Sequence, residues 1–173
     1  METWKAISTR RNVREFADRP IEPEKLGRIL EAGRWAPSSK NDQPWHFIVC
    51  TDREHLLELS RVGAYTDHLA GAGAAVGFVV REGREPSENE INALDVGQAV
   101  ENMMLAAWDM GIGSCHGSVY EPELARRLLG YPEDHRCDLL VSFGYPAGAG
   151  LPERPRSERG RRPLETIVHR QRW

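Results

Sequence analysis

Residues 90–110 read Glu-Ile-Asn-Ala-Leu-Asp-Val-Gly-Gln-Ala-Val-Glu-Asn-Met-Met-Leu-Ala-Ala-Trp-Asp-Met. The reading of this stretch decides the architecture. Ile91, Leu94, Val96, Ala99, Val100, Met103, Met104, Leu105, Ala107 and Trp108 occupy nearly the whole circumference of a helical wheel. Such a helix is buried on most sides, so the rest of the chain has to supply layers around it. At roughly 1.5 Å per residue it spans about 30 Å, the width of a small domain. Gly111-Ile112-Gly113 ends it.

The neighbouring segments supply those layers. Residues 74–80 form a short apolar run and predict a buried strand, with a polar turn over 81–89 leading into the long helix. Trp45-His46-Phe47-Ile48-Val49-Cys50-Thr51 is rich in aromatic and β-branched residues and predicts a second strand; residues 137–143 predict a third. Helices are expected at residues 3–9, from Pro23 onward, near residues 56–62, and at residues 124–129, closing at Gly130. The helix at Pro23 has its proline in the first turn, with Glu22 and Glu24 at its positive end. Leu26, Ile29, Leu30 and Gly33 recur on one of its faces, and Pro37 stops it. Alternating helices and strands place the chain in the α/β or α+β class.

Length and composition agree with one domain over residues 1–173. The chain has 173 residues, 40% hydrophobic, with a formal charge of −3. That is too apolar for a disordered chain and too near neutrality for a dedicated nucleic-acid binder. No nucleic-acid partner is expected. Cys50, Cys115 and Cys137 are odd in number and widely spaced, which suits neither a disulfide framework nor a CxxC metal site. The six His make no HxH or HExxH pair, so no metal is expected. The N-terminus has no apolar signal region, and the longest weakly polar run, residues 69–80, is too short to span a bilayer. A reduced cytoplasmic protein without membrane attachment is the expectation.

Three separated segments have the chemistry of an anionic-ligand site. Arg10-Arg11-Asn12-Val13-Arg14 offers several guanidinium groups beside a short carboxamide, suited to bidentate phosphate binding. If residues 13–16 are extended, alternation puts Arg10, Asn12 and Arg14 on one side. Pro37-Ser38-Ser39-Lys40-Asn41-Asp42-Gln43-Pro44-Trp45 carries hydroxyls and carboxamides that can face a heterocycle or polyol, although by itself it also reads as a polar turn. Arg159-Gly160-Arg161-Arg162-Pro163 is basic and reads equally as a solvated tail.

Taken in order, these segments resemble the nitroreductase family of FMN-dependent oxidoreductases. The resemblance rests on Arg10-Arg11-Asn12-Val13-Arg14-Glu15-Phe16, on Ala36-Pro37-Ser38-Ser39 through Asn41, Gln43, Pro44 and Trp45, and on Asp95-Val96-Gly97 with Asn102, Leu105, Ala106 and Ala107. Gly111-Ile112-Gly113-Ser114-Cys115, Leu128-Leu129-Gly130-Tyr131-Pro132, Gly144-Tyr145-Pro146 and Arg161-Arg162-Pro163-Leu164-Glu165 complete it. The order is kept over nearly the whole chain.

The resemblance implies an α+β fold of α/β-type three-layer form. A central mixed, mainly antiparallel sheet would be flanked by helices in an intertwined homodimer, with residues 145–173 as a C-terminal arm around the partner. It implies two FMN sites at the subunit interface, with NAD(P)H as transient electron donor. Hydride would pass to FMN and then to a nitro compound, quinone or similar small-molecule acceptor in a ping-pong cycle. Arg10 and Asn12 match positions on the FMN phosphate and ribityl chain, Asn12 standing where the family usually has Ser. Arg14 matches the basic residue near the flavin pyrimidine edge, and Arg11, Gly113 and Ser114 are further cofactor-binding candidates. Pro37, Ser38, Ser39 and Asn41 match a loop reaching the flavin from the other subunit. Arg159 and Arg161 match a basic pair on the phosphate. His116, as a possible substrate-facing group, and Gly117, as a backbone donor near flavin N5, are the catalytic candidates.

Other readings stay open. The chain could be a same-fold flavoprotein with different chemistry, such as reductive dehalogenation or flavin turnover, or a non-enzymatic FMN-binding protein. Cys115-His116 could be a nucleophilic pair, but adjacent side chains rarely point at each other. Trp35, Trp45 and Trp108 are expected to be packing residues.

Overall fold

The computed structural model describes residues 2–148, 150–151 and 161–173. In chain order the elements are α1 (Thr3–Thr9), α2 (Pro23–Arg34), β1 (Trp45–Cys50), α3 (Arg53–Leu59), β2 (Ala74–Arg81), α4 (Pro86–Asp109), β3 (Gly113–Ser118), α5 (Pro122–Leu129) and β4 (His135–Gly144). The strands form one sheet in the order β1-β2-β4-β3, antiparallel at every contact. The expected mainly antiparallel sheet is borne out, and among the described residues its parallel component is a single isolated bridge, Asn12 to Ser114.

β2 is buried at every position but its last, which is why it reads as an unbroken apolar run. Alternation sends Ala74, Val76 and Phe78 to one face, beside Val141 and Phe143 of β4. There they meet Ile29 of α2 and Ala99, Met103, Met104 and Ala107 of α4. Ala75, Val79 and Leu140 point the other way, onto Leu56 and Leu59 of α3 and Ala125 and Leu129 of α5. The outcome is three layers, helix pair, sheet, helix pair. Each fully buried large side chain stabilises this arrangement by roughly 1.5–3 kcal/mol relative to exposure. A β-bulge between Phe78 and Val79 shifts the β2–β4 register, so that Val79 pairs with Cys137 rather than Asp138. The shift keeps an apolar residue opposite an apolar residue across the sheet.

Local chemistry sets most element ends. α2 starts at Pro23, with Glu24 in its first turn and Arg34 in its last. Asp52 caps α3 by accepting from the His55 amide at 2.8 Å. α5 ends at Gly130, whose φ of 71° lies in the left-handed region.

Three expectations change. β3, Gly-Ser-Cys-His-Gly-Ser, has no strand signature and was not expected as a strand. It forms because the apolar β4 offers a free edge, which it follows from Gly113↔Gly144 to Ser118↔Leu139. α4 begins at Pro86, so the connection from β2 is only residues 82–85. Burial of α4 is one-sided in its first half, where Ile91 and Leu94 are 45% and 65% exposed; from Ala99 to Trp108 it is largely enclosed. Trp45 and Trp108 are core residues, whereas Trp35 is exposed and donates to Glu31 at 2.7 Å.

No helix among the described residues is long and apolar enough to cross a membrane.

Candidate functional site

After α1 the chain runs extended beside the β3 edge. Asn12 bridges to Ser114, and the Val13 amide donates to the Ser114 carbonyl at 2.9 Å. Ala17 donates to the Tyr145 carbonyl at 2.8 Å, and Phe16 bridges to Pro146. Close approach of the two segments depends on Gly113. A Cβ placed there would lie 2.6 to 2.9 Å from all three Val13 side-chain carbons.

This seam gathers six of the twelve residues expected to hold the cofactor: Arg10, Arg11, Asn12, Arg14, Gly113 and Ser114. Arg10 Nε donates to Glu101 Oε1 of α4 at 3.0 Å, and its Nη1 donates to Asn12 Oδ1 at 3.4 Å. Glu101 therefore aims the guanidinium while leaving several of its five donors for another acceptor. Arg14 is exposed and makes no ion pair among the described residues. It lies close enough to Cys115 and His68 for its charge to act on both. Ser114 is fully buried, and its Oγ has no hydrogen-bond partner among the described residues. Arg11 is half-buried.

β3 carries the two catalytic candidates. His116 is exposed, on the same strand face as Ser114 and Ser118. Gly117 is buried from the opposite face. A Cβ there would sit 2.7 Å from Thr66 Cγ2 and 3.3 Å from His68 Nε2. The nucleophilic-pair reading fails on geometry. Cys115 is buried, and its Sγ–H contacts the His116 carbonyl at 3.5 Å rather than the imidazole. Burial pushes its thiol up, away from the reactive thiolate, and burial pushes Cys137 up to about 12.

Residues 37–41 are elsewhere. Pro37, Ser38, Ser39 and Asn41 precede β1, at the opposite edge of the sheet from β3. The Ser39 amide donates to Asp95 Oδ2 of α4 at 3.0 Å, and the Gln43 amide donates to Ser38 Oγ at 2.9 Å. Lys40, Asn41 and Gln43 have φ values of 53°, 60° and 48°. Left-handed backbone at non-glycine residues costs about 1–2 kcal/mol each and concentrates at ligand clamps. Asp95, a carboxylate only 2% exposed, is what ties this strained loop down.

Asp95 and Glu101 thus anchor the two groups of residues to one helix. Six residues apart, they are separated by about 9 Å along the axis and about 120° around it. One chain does not bring the two groups together. Arg161 is exposed in the C-terminal segment, and no described contact joins it to Arg10 or Arg14. Arg159 lies outside the described residues.

Sequence reasoning missed Asp95 and Glu101 as anchors, and missed His68 entirely. The signal for the first two was present: each is an acid inside the apolar pattern of residues 90–110. His68 gave no signal, because its partners are 74 residues away.

Donors on this seam suit an anion carrying a polyol chain: two guanidinium groups, a carboxamide and an orphaned buried hydroxyl. Comparison with known proteins agrees. The model of the nitroreductase family matches residues 7–70 and 63–145. A protein of Archaeoglobus fulgidus named "Putative NADH dehydrogenase/NAD(P)H nitroreductase" is 37% identical over 176 residues, covering 99% of both chains. The NADPH-flavin oxidoreductase of Vibrio harveyi is 28% identical over 96% of this chain and 72% of its own. Among solved structures, an FMN-dependent nitroreductase of Clostridium difficile superposes with a TM-score of 0.85 at 25% identity, over 99% of this chain and all of the other. A family model covering most of the residues, a relative alike from end to end and the same three-layer fold lead to one conclusion: the chain belongs to the nitroreductase family.

Proposed function

We propose that the chain is an FMN-dependent NAD(P)H oxidoreductase acting on nitro compounds, quinones or similar acceptors by a ping-pong cycle. The observation that carries this reading is the β3 seam. There the exposed Arg14 makes no ion pair among the described residues and stands next to an Arg10 already aimed by Glu101 and Asn12. Guanidinium groups gathered on one seam beside a carboxamide suit an anionic ligand. The flavin oxidoreductase and FMN-dependent nitroreductase among its relatives support FMN as that ligand. FMN, when bound, supplies the hydride-accepting and hydride-donating chemistry.

The chain's own residues bind and orient. Arg10 and Asn12 hold the phosphate and ribityl end. Arg14 contributes a positive charge to the pyrimidine side of the ring, where reduction builds negative charge. The β3 backbone at His116 and Gly117 faces the ring, and the exposed His116 imidazole orients the acceptor. Residues 38, 39 and 41 come from a second copy of the chain. Their place at the far sheet edge supports a shared site, as does their separate anchoring at Asp95. Arg161 reaches the phosphate on the C-terminal arm.

Purified protein is therefore yellow, and NAD(P)H bleaches the flavin band in the absence of oxygen. A colourless preparation that takes up no added FMN would contradict the reading. Arg14→Ala separates the role of the charge from that of the fold. Losing one charged contact of about 1.5–3 kcal/mol lowers the two-electron flavin potential by about 30–60 mV and weakens FMN retention. An unchanged potential and occupancy would remove Arg14 from the site.

A further inference from the structure

Behind the candidate flavin-facing strand lies a buried histidine that the proposed chemistry does not use. His68 sits in a 3-10 turn, Asp67–Leu69, and is 6% exposed. Thr66, itself fully buried, holds the turn by sharing its one hydroxyl hydrogen between the Ser60 and Gly63 carbonyls, 2.8 and 2.7 Å from its Oγ1. From there His68 Nδ1 lies 2.8 Å from Ser142 Oγ, and Ser142 Oγ lies 3.1 Å from the Cys115 carbonyl oxygen.

A serine hydroxyl has one hydrogen, which Ser142 directs to the Cys115 carbonyl or to His68 Nδ1 according to the tautomer of the ring. In both cases Ser142 Oγ links His68 to the Cys115 carbonyl. Nε2 is enclosed against Gly117, near enough to the His116 backbone for that group to oppose the lowering of the ring's pKa. Burial, then the Arg14 charge, hold the ring below the usual imidazole range and so neutral.

We propose that His68 is a positioning residue for β3. It fixes the backbone of residues 115–117 from behind, through Ser142 and the Cys115 carbonyl, in the register that the ring-facing side requires. The part played by FMN rests on the function proposed above; the hold on the strand does not. β3 needs such a hold. It is an edge strand of Gly, Ser, Cys and His with little β-propensity of its own, and Gly117 leaves room for the ring to reach the backbone.

The test uses the full chain, with and without FMN, in three variants. His68→Leu removes the ring's polar contact with Ser142, Ser142→Ala removes the relay, and His68→Asn keeps a carboxamide near the Nδ1 position that can donate or accept. In apoprotein, amide hydrogen exchange at residues 115–117 is expected to quicken roughly tenfold in His68→Leu and Ser142→Ala, as fits the loss of one buried hydrogen bond, and to stay near wild type in His68→Asn. The same two variants bind FMN roughly tenfold more weakly, and combining them adds little, because they break one chain of contacts. Unchanged exchange at residues 115–117 in a folded His68→Leu overturns the proposal. If that variant does not fold, unchanged exchange in Ser142→Ala overturns it. Wild type that binds no FMN would refute the function proposed above, while the exchange data would still decide the role of His68.

Discussion

At the scale of single residues, the site is held by a few buried polar contacts whose loss has a calculable size. Asp95 is the clearest. Asp95→Ala leaves the Ser39 amide without its acceptor, at a cost of about 1–3 kcal/mol. It also releases the backbone at Lys40, Asn41 and Gln43 from left-handed geometry. Chemical denaturation should show that loss, together with weaker FMN binding; Asp95→Asn, which keeps a carbonyl oxygen, should recover most of both. Gly113→Ala tests the seam from the other side. Its Cβ would collide with Val13, so overpacking of about 1–3 kcal/mol is expected in urea unfolding, with cofactor affinity falling as residues 10–14 are pushed from β3. The roles proposed for Arg10, Asn12 and Arg14 come from the family resemblance, since a basic cluster by itself also reads as a solvated face. The roles of Asp95, Glu101 and His68 could not be read from the sequence, because each acts on a residue more than 50 positions away.

At the scale of elements, amphipathic patterning was a good guide where an element meets one layer. α2, with its proline start and single apolar face, lies where its sequence places it. Patterning misled where two environments share one element. The first half of α4 carries Ile91, Leu94 and Val96 in a helical pattern, yet Ile91 and Leu94 face outward. Neither residue type nor period distinguishes a side buried in one chain from a side that a second chain could cover. β3 failed in the opposite sense: its strand state is imposed by β4, and no propensity announces it. The junction of α1 with α4 is a tight one. Trp108 Nε1 donates to Thr9 Oγ1 at 2.9 Å in a fully buried setting. Trp108→Phe should destabilise by about 1–3 kcal/mol, through the lost donor and the smaller ring, and should show in the midpoint of urea unfolding.

At the scale of the whole molecule, stability should fall on the acid side in two steps. His68 is depressed in the fold by burial first and by Arg14 next, with the His116 side chain adding to the effect and the His116 backbone and Asp67 opposing it. The unfolded chain therefore takes up the proton first. This contribution is complete above the ordinary imidazole value of 6.5 and is lost as pH falls below it. Glu22 is held down to about 2 by the Tyr145 hydroxyl foremost, assisted by Arg19 and Lys25. Its contribution is present above 4.5 and is lost between there and about 2. Unfolding free energy measured against pH should show the upper step in wild type and not in His68→Asn. Sedimentation should give a dimer whose dissociation releases flavin; a monomer that retains tightly bound FMN would contradict the shared site.

The sequence by itself determined the layered class, the positions of α2, β1, β2 and β4, and the family resemblance. These depend on local periodicity and on side-chain chemistry, which are written into neighbouring residues. Only the tertiary structure decided that Gly113–Ser118 is a strand, that Asp95 and Glu101 hold two groups of site residues on different faces of one helix, and that His68 stands behind the seam. Each of these is a contact between segments distant in the chain. Such contacts are fixed by how the layers pack, which no local pattern encodes.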